Sequence, residues 1–291
     1  MKTSRHGLML ARIGVLLGAG LAFSASQALT LQLVSPSTNG STNYLNNFNG
    51  GGSYTSKWTG ANQMSVDGGT AFWAYCIDPL TTADFSQNYS AASLNSFLNT
   101  TLGGGLTGYQ QEFGSTGSGG DNNAYNGLAY KLQNVAQVEN KLTALFSHAY
   151  AETLTNSTKA AAFGYAVWEI IGDASNTSGT GTYSRTSGAL RSWGSNGSSS
   201  TDALDTQINA YLTALNGNSW SSVNGINLAA ATDYVYTVYF DEDPHKTQNF
   251  IRVTEGGGSN NGQVPEPASL ALVGVALLGV WGSRRRAKNS A

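Results

Sequence analysis

Cys76 is the single cysteine of this chain, and its thiol is the side chain with the widest chemical reach. A thiolate can act as a nucleophile, a metal ligand or half of a disulfide. With one cysteine, an intramolecular disulfide is excluded by counting. Its setting is Ala71 to Ile77 (AFWAYCI), an aromatic-rich run closed by Asp78-Pro79, which reads as a strand. On that strand Phe72, Ala74 and Cys76 share one face, and Trp73, Tyr75 and Ile77 share the other. The expectation is a small buried side chain on a core strand, a free thiol.

Other residues of chemical interest are more dispersed. Glu169 and Asp173 fall four apart on one helix face. As a glycosidase pair they would need a cleft between them; the expectation is a core Trp168 with Glu169 pairing locally. Asp241, Glu242 and Asp243 with His245 lie in a connection between strands, where hard oxygen ligands suit calcium. Acidic turns are commonly just solvated, so no resident metal and no cofactor is expected. His148 has no second histidine four residues away. Gly103 to Gly105 and Gly114 to Gly120 follow no phosphate-cradling pattern. No nucleophile elbow or zinc signature occurs. The chain is not expected to be an enzyme.

The elements that must position these residues follow from a change of period along the chain. Leu29 to Val34 alternates and reads as a first strand, and Ser35 to Asp67 as loops with one or two short strands. Leu80 to Asn126 is ambiguous. Apolar residues at Leu132, Val135, Val138, Leu142, Leu145, Phe146 and Ala149 have helical spacing, predicting a helix to Tyr150. A second is predicted over about Thr158–Ile171, capped by Ser157 or Thr158, and a third over about Asp202–Leu215 with Gly217 past its end. Gly179 to Ser199 reads as loop. Thr232–Phe240 and Thr247–Thr254 read as two strands. The prediction is an α+β ectodomain: antiparallel and β-rich, with a packed helix pair plus a third helix. Ala71–Ile77 and Thr232–Phe240 are placed in one antiparallel sheet.

Composition points outward from the cell. Charged residues make up 11%, the net charge is −2, and glycine is abundant at 36 residues. That balance suits a turn-rich β domain and offers nothing to nucleic acid. Lys2, Arg5 and Arg12, then the apolar Ile13–Phe23 and the small residues Ser26 and Ala28, form a signal peptide over 1–28, cleaved after Ala28 by signal peptidase. The ectodomain is assigned to 29–255 and a flexible spacer to 256–263. The segment 264–291 holds Pro265-Glu266-Pro267, an apolar run from Ala268 to Trp281, and then Arg284, Arg285 and Arg286. The prolines mark a helix start, the run forms a hydrophobic C-terminal helix, and the arginines suit a cytoplasmic flank.

This tail resembles the PEP-CTERM sorting signal of Gram-negative bacteria, with Pro265, Glu266, Pro267 and Arg284–Arg286 as its motif residues. The resemblance implies recognition by an exosortase, which removes the tail and passes the protein to the surface. The inner membrane would hold the C-terminal helix transiently. The implied destination is the cell surface or extracellular matrix, in association with envelope or exopolysaccharide.

A second resemblance lies in the cargo. Tyr75-Cys76-Ile77-Asp78 and, later, Ala161-Ala162-Phe163-Gly164-Tyr165-Ala166-Val167-Trp168-Glu169-Ile170 are similar to the thioester domain of bacterial surface proteins. That family joins its cysteine to a helix glutamine as an internal thioester, an activated acyl group for capturing other surfaces. Here the glutamine position holds Gly164, which has no carboxamide, so no thioester is expected on the matched residues. Gln133, Gln137 and Gln207 are the other glutamines weighed as partners for Cys76. Gly164→Gln is the substitution that would rebuild the family's pair. The expected function is a non-enzymatic surface protein; the alternatives are a covalent adhesin and a secreted carbohydrate-active enzyme.

Overall fold

The computed structural model describes residues 28–35, 41–46, 53–78, 81–100, 105–106, 134–172, 182–186, 190–192, 202–220, 232–241, 243 and 246–256. Its strands are β1 (Leu29–Ser35), β2 (Ser41–Asn46), β3 (Ser53–Trp58), β4 (Asn62–Val66), β5 (Phe72–Cys76), β6 (Asn88–Ser93), β7 (Leu190–Ser192), β8 (Tyr234–Phe240) and β9 (Phe250–Glu255). Its helices are α1 (Leu94–Asn99), α2 (Val135–Thr153), α3 (Ser157–Gly172) and α4 (Ala203–Gly217). The α+β expectation holds, and so does the antiparallel pairing. The antiparallel sheet closes into a barrel in the order β1-β4-β5-β9-β8-β6, with β6 returning to β1. Closure leaves no barrel edge to be covered. A separate three-stranded sheet runs β3-β2-β7.

Antiparallel pairing all round the barrel gives it two rims. At one rim β5 ends on Cys76 and β9 begins on Phe250, directly opposite each other. At the second rim β1, β5 and β8 begin and β9 ends on Glu255, so the chain leaves there toward the C-terminal tail. Cross-strand partners share a face. Leu31, Met64, Ala74, Tyr89 and Phe250 therefore point inward, and all are fully buried. Tyr75, Val238 and Ile251 point outward and are equally buried, because helices cover that side.

The helices lock onto the barrel through aromatic rings. Phe163 of α3 lies 4.6 Å from Tyr75, and Phe146 of α2 meets Phe163 edge-on at 4.8 Å. Trp168, 1% exposed, places its indole in the same layer. Helix starts follow local chemistry. Asn134 and Gln137 form a reciprocal capping box on α2, and the Asp202 side chain accepts from Asp205 N at the start of α4. For α3 the capping side chain is Asn156, accepting from Lys159 N at 2.9 Å, not Ser157 or Thr158. The α4 terminus is set by Asn218 at φ 48°, with Gly217 still inside the helix.

Several segments differ from expectation. Ser35–Asp67 carries β2, β3 and β4, more strand than alternation suggested, because Ser, Thr and Asn on strands mask the period. The ambiguous 80–126 stretch contains β6 and α1, and the 179–199 loop contains β7. Asp67 and Gly68, both with positive φ, make the tight turn between β4 and β5. The signal peptide up to residue 27, Gln133, Asp173 and the sorting segment with its hydrophobic helix lie outside the described residues.

Candidate functional site

Cys76 is the last residue of β5, on the barrel's inward face and 4% exposed. Its Sγ donates to the Asp78 carbonyl at 3.1 Å and accepts from Asp78 N at 3.3 Å. Trp168 Nε1 reaches from α3 to donate to the Cys76 carbonyl at 3.0 Å. Burial pushes the thiol pKa well up, and the nearby Asp78 charge pushes it the same way. A protonated, desolvated thiol is a weak nucleophile. Strand β5 and helix α3, the two segments quoted for the thioester resemblance, are therefore neighbours in space.

The other half of that resemblance is closed by backbone. A Cβ on Gly164 would lie 1.4 Å from the Thr59 carbonyl oxygen and 2.5 Å from its carbonyl carbon. Thr59 Oγ1 in turn donates to the Ala161 carbonyl at 2.8 Å, holding this crossing in register. The space a glutamine side chain would occupy belongs to the residue that follows β3. Gly164→Gln therefore cannot rebuild a Cys–Gln pair in this packing, which corrects the expectation drawn from the resemblance. Gln137 is spent on the α2 cap, and Gln207 lies on α4 beside Tyr211. The glutamine that does come near is Gln248, which the sequence reading passed over. Its Nε2 donates to the Asp78 carbonyl at 2.9 Å and to the Thr81 carbonyl at 3.1 Å, sharing with Cys76 the Asp78 acceptor. Nothing local in the sequence marked it; the β5–β9 register brings it there.

The acidic candidates separate. Glu169 is fully buried and accepts from Tyr165 OH at 3.1 Å, four residues back on the same helix. Asp205, also fully buried, pairs with Arg185 at 3.1 Å, and Arg185 Nη1 donates to the Ser192 carbonyl at 2.6 Å. This ties α4 to β7 and is packing chemistry. Asp241 Oδ1 accepts from Asp243 N at 3.0 Å, while Glu242 and His245 lie outside the described residues. Among the described residues no group of three His, Cys, Asp or Glu side chains is placed to hold a metal ion. His148 stacks on Trp220, with ring centroids 4.9 Å apart.

With that geometry in hand, comparison with known proteins turns on the other end of the chain. Residues 263–286 match the family model described as the PEP-CTERM protein-sorting motif. The tail is a sorting signal. The match spans Pro265, Glu266, Pro267 and Arg284–Arg286, the residues that carried the resemblance. The PEP-CTERM motif implies export, C-terminal membrane anchoring before processing, and sorting to the surface by an exosortase. No helix among the described residues is long and apolar enough to cross a membrane. No curated protein and no solved structure matches the chain, so the thioester-domain resemblance gains no support from comparison.

Proposed function

We propose that the ectodomain is a non-enzymatic binding protein of the cell surface or extracellular matrix, associated with envelope or exopolysaccharide. Signal peptidase releases it after Ala28, and exosortase removes the tail. The PEP-CTERM motif at 263–286 is the observation that carries this reading. Two features of the cargo support non-covalent binding. The Cys76 thiol is buried and its pKa is raised, and the Gly164 position has no room for a side chain.

The test is recovery of the mature protein from the producing cells with and without enzymatic removal of extracellular polysaccharide. The expected result is co-fractionation with the polysaccharide and release into the soluble pool when it is digested. Mature protein that stays with the cells after digestion, or never associates with the polymer, defeats the exopolysaccharide reading.

A further inference from the structure

The two ends of the fold differ in how much chain they leave for a protease. Strand β1 starts at Leu29, the residue that follows the Ala28 cut. Leu29 pairs with Tyr89 and Thr30 with Asn88 of β6, while Leu31 pairs with Val66 of β4. Thr30 is held twice more. Its N donates to Asp67 Oδ1 at 2.8 Å, and its carbonyl accepts from Asp67 N at 2.9 Å. Leu29 packs on the core and Leu31 is fully buried. At the other end, Gly256 N donates to the Asp233 carbonyl at 2.9 Å. Eight residues, 257–264, then precede Pro265. Fully extended, they reach about 27 Å.

A protease cleft takes extended chain on both sides of the bond it cuts, so a strand held in a ladder must leave it first. β1 is bonded to β4 on one side and to β6 on the other, and its departure opens the barrel. An edge strand would peel from one neighbour only. The tail cut lies beyond 257–264, so the pairings of β9 can stay intact. Anchoring does not hold the barrel open in the meantime. β1 begins and β9 ends at the same rim, so both membrane-directed segments leave toward one bilayer. Closure and the first cut therefore compete, and a barrel that closes first keeps its signal peptide.

We infer that the fold fixes the order of processing: signal peptidase cuts before β1 enters the barrel, and exosortase acts on the closed barrel. At the first cut, water adds across the Ala28–Leu29 peptide bond and leaves a carboxylate on Ala28 and an ammonium on Leu29. The inference rests on the two cuts in the reading above and is independent of what the ectodomain binds.

The experiment uses the full chain, folded in detergent and checked by near-UV circular dichroism. Detergent-solubilised membranes of the producing cells supply both proteases. One variant inserts about ten Gly and Ser residues between Ala28 and Leu29, a flexible lead onto an intact β1. The other, Leu31→Asp, puts a charge inside the barrel and keeps β1 out. Mass spectrometry follows both ends with time. Folded wild type is expected to lose its tail, while its Ala28–Leu29 bond is cut at least about tenfold more slowly than in either variant. Equal rates of the first cut in folded wild type and an unfolded Leu31→Asp overturn the proposal. If Leu31→Asp keeps the wild-type spectrum, the insertion variant decides alone. A folded insertion variant cut as slowly as wild type also overturns the proposal, as does a folded wild type that keeps its tail while Leu31→Asp loses it. A chain uncut after Ala28 in every form overturns it together with the signal-peptide reading, and leaves the binding reading to its own test.

Discussion

Thr59 and Gly164 touch backbone to backbone: the Thr59 carbonyl oxygen stands where a Cβ of residue 164 would be. The contact lets α3 lie close enough to the end of β3 for Thr59 Oγ1 to bond the Ala161 carbonyl. It also explains a glycine in the middle of a helix, where it costs about 1 kcal/mol relative to alanine. Close packing that admits no side chain offsets that cost.

Gly164→Ala should therefore destabilise the ectodomain despite alanine's higher helix propensity. Insertion into a filled site ordinarily costs about 1–3 kcal/mol, and a clash with backbone should reach the upper end. Gly164→Gln should be worse, and should leave Cys76 unmodified. Urea denaturation of the two variants checks this; a stability gain in Gly164→Ala would show that the helix can move away.

Cys76 should be a free thiol that resists alkylation until the protein is denatured. Intact mass should show no loss of ammonia, and methylamine should add nothing. Methylamine incorporation at Gln248, whose amide shares the Asp78 carbonyl with the thiol, would favour the covalent adhesin over the non-covalent reading.

Stability should fall on the alkaline side. Burial raises the Cys76 pKa above the ordinary value of 9.0 and lifts Tyr89, Tyr150 and Tyr236 to about 12. A raised folded-state pKa means that the unfolded chain releases its proton first. These groups contribute fully below pH 9, and their contribution is lost between pH 9 and about 12 as the unfolded thiol and phenols ionise. Chemical denaturation at stepped pH measures the slope. Constant stability from pH 9 to 11 would contradict the burial of these groups.

Asp205→Ala should cost about 3–5 kcal/mol, because it strands a buried Arg185. The two side chains are 0% and 7% exposed. The double variant Arg185→Met with Asp205→Leu should recover much of the loss. A single variant within about 1 kcal/mol of wild type would mean that the arginine finds water.

The mature protein should lack both Met1–Ala28 and most of the chain after Pro267. Mass spectrometry of surface material measures both ends. Abundant peptides from 270–284 in the secreted pool would exclude tail removal.

The C-terminal end of this protein was legible because its physics is one-dimensional. A Pro-Glu-Pro triplet, an apolar run and an arginine cluster work through order and spacing. The helices were legible for a related reason: Leu142, Phe146 and Ala149 repeat at the period of one face. The strands of 35–67 were not, since their sequence is mostly Ser, Thr and Asn. Barrel closure depends on pairing β1 with both β4 and β6, and no local signal carries that. The same holds for every contact that decides chemistry here. Gly164 looked like a lost glutamine until Thr59 was seen to fill its space. Gln248 and Cys76 meet at one carbonyl because β9 pairs with β5. Arg252 reads as one more strand residue until register sets it over the Phe72 ring and beside the Tyr239 hydroxyl. Periodicity tells which face a residue takes, but its neighbours come from long-range pairing, and those neighbours determine what a thiol, an amide or a guanidinium can do.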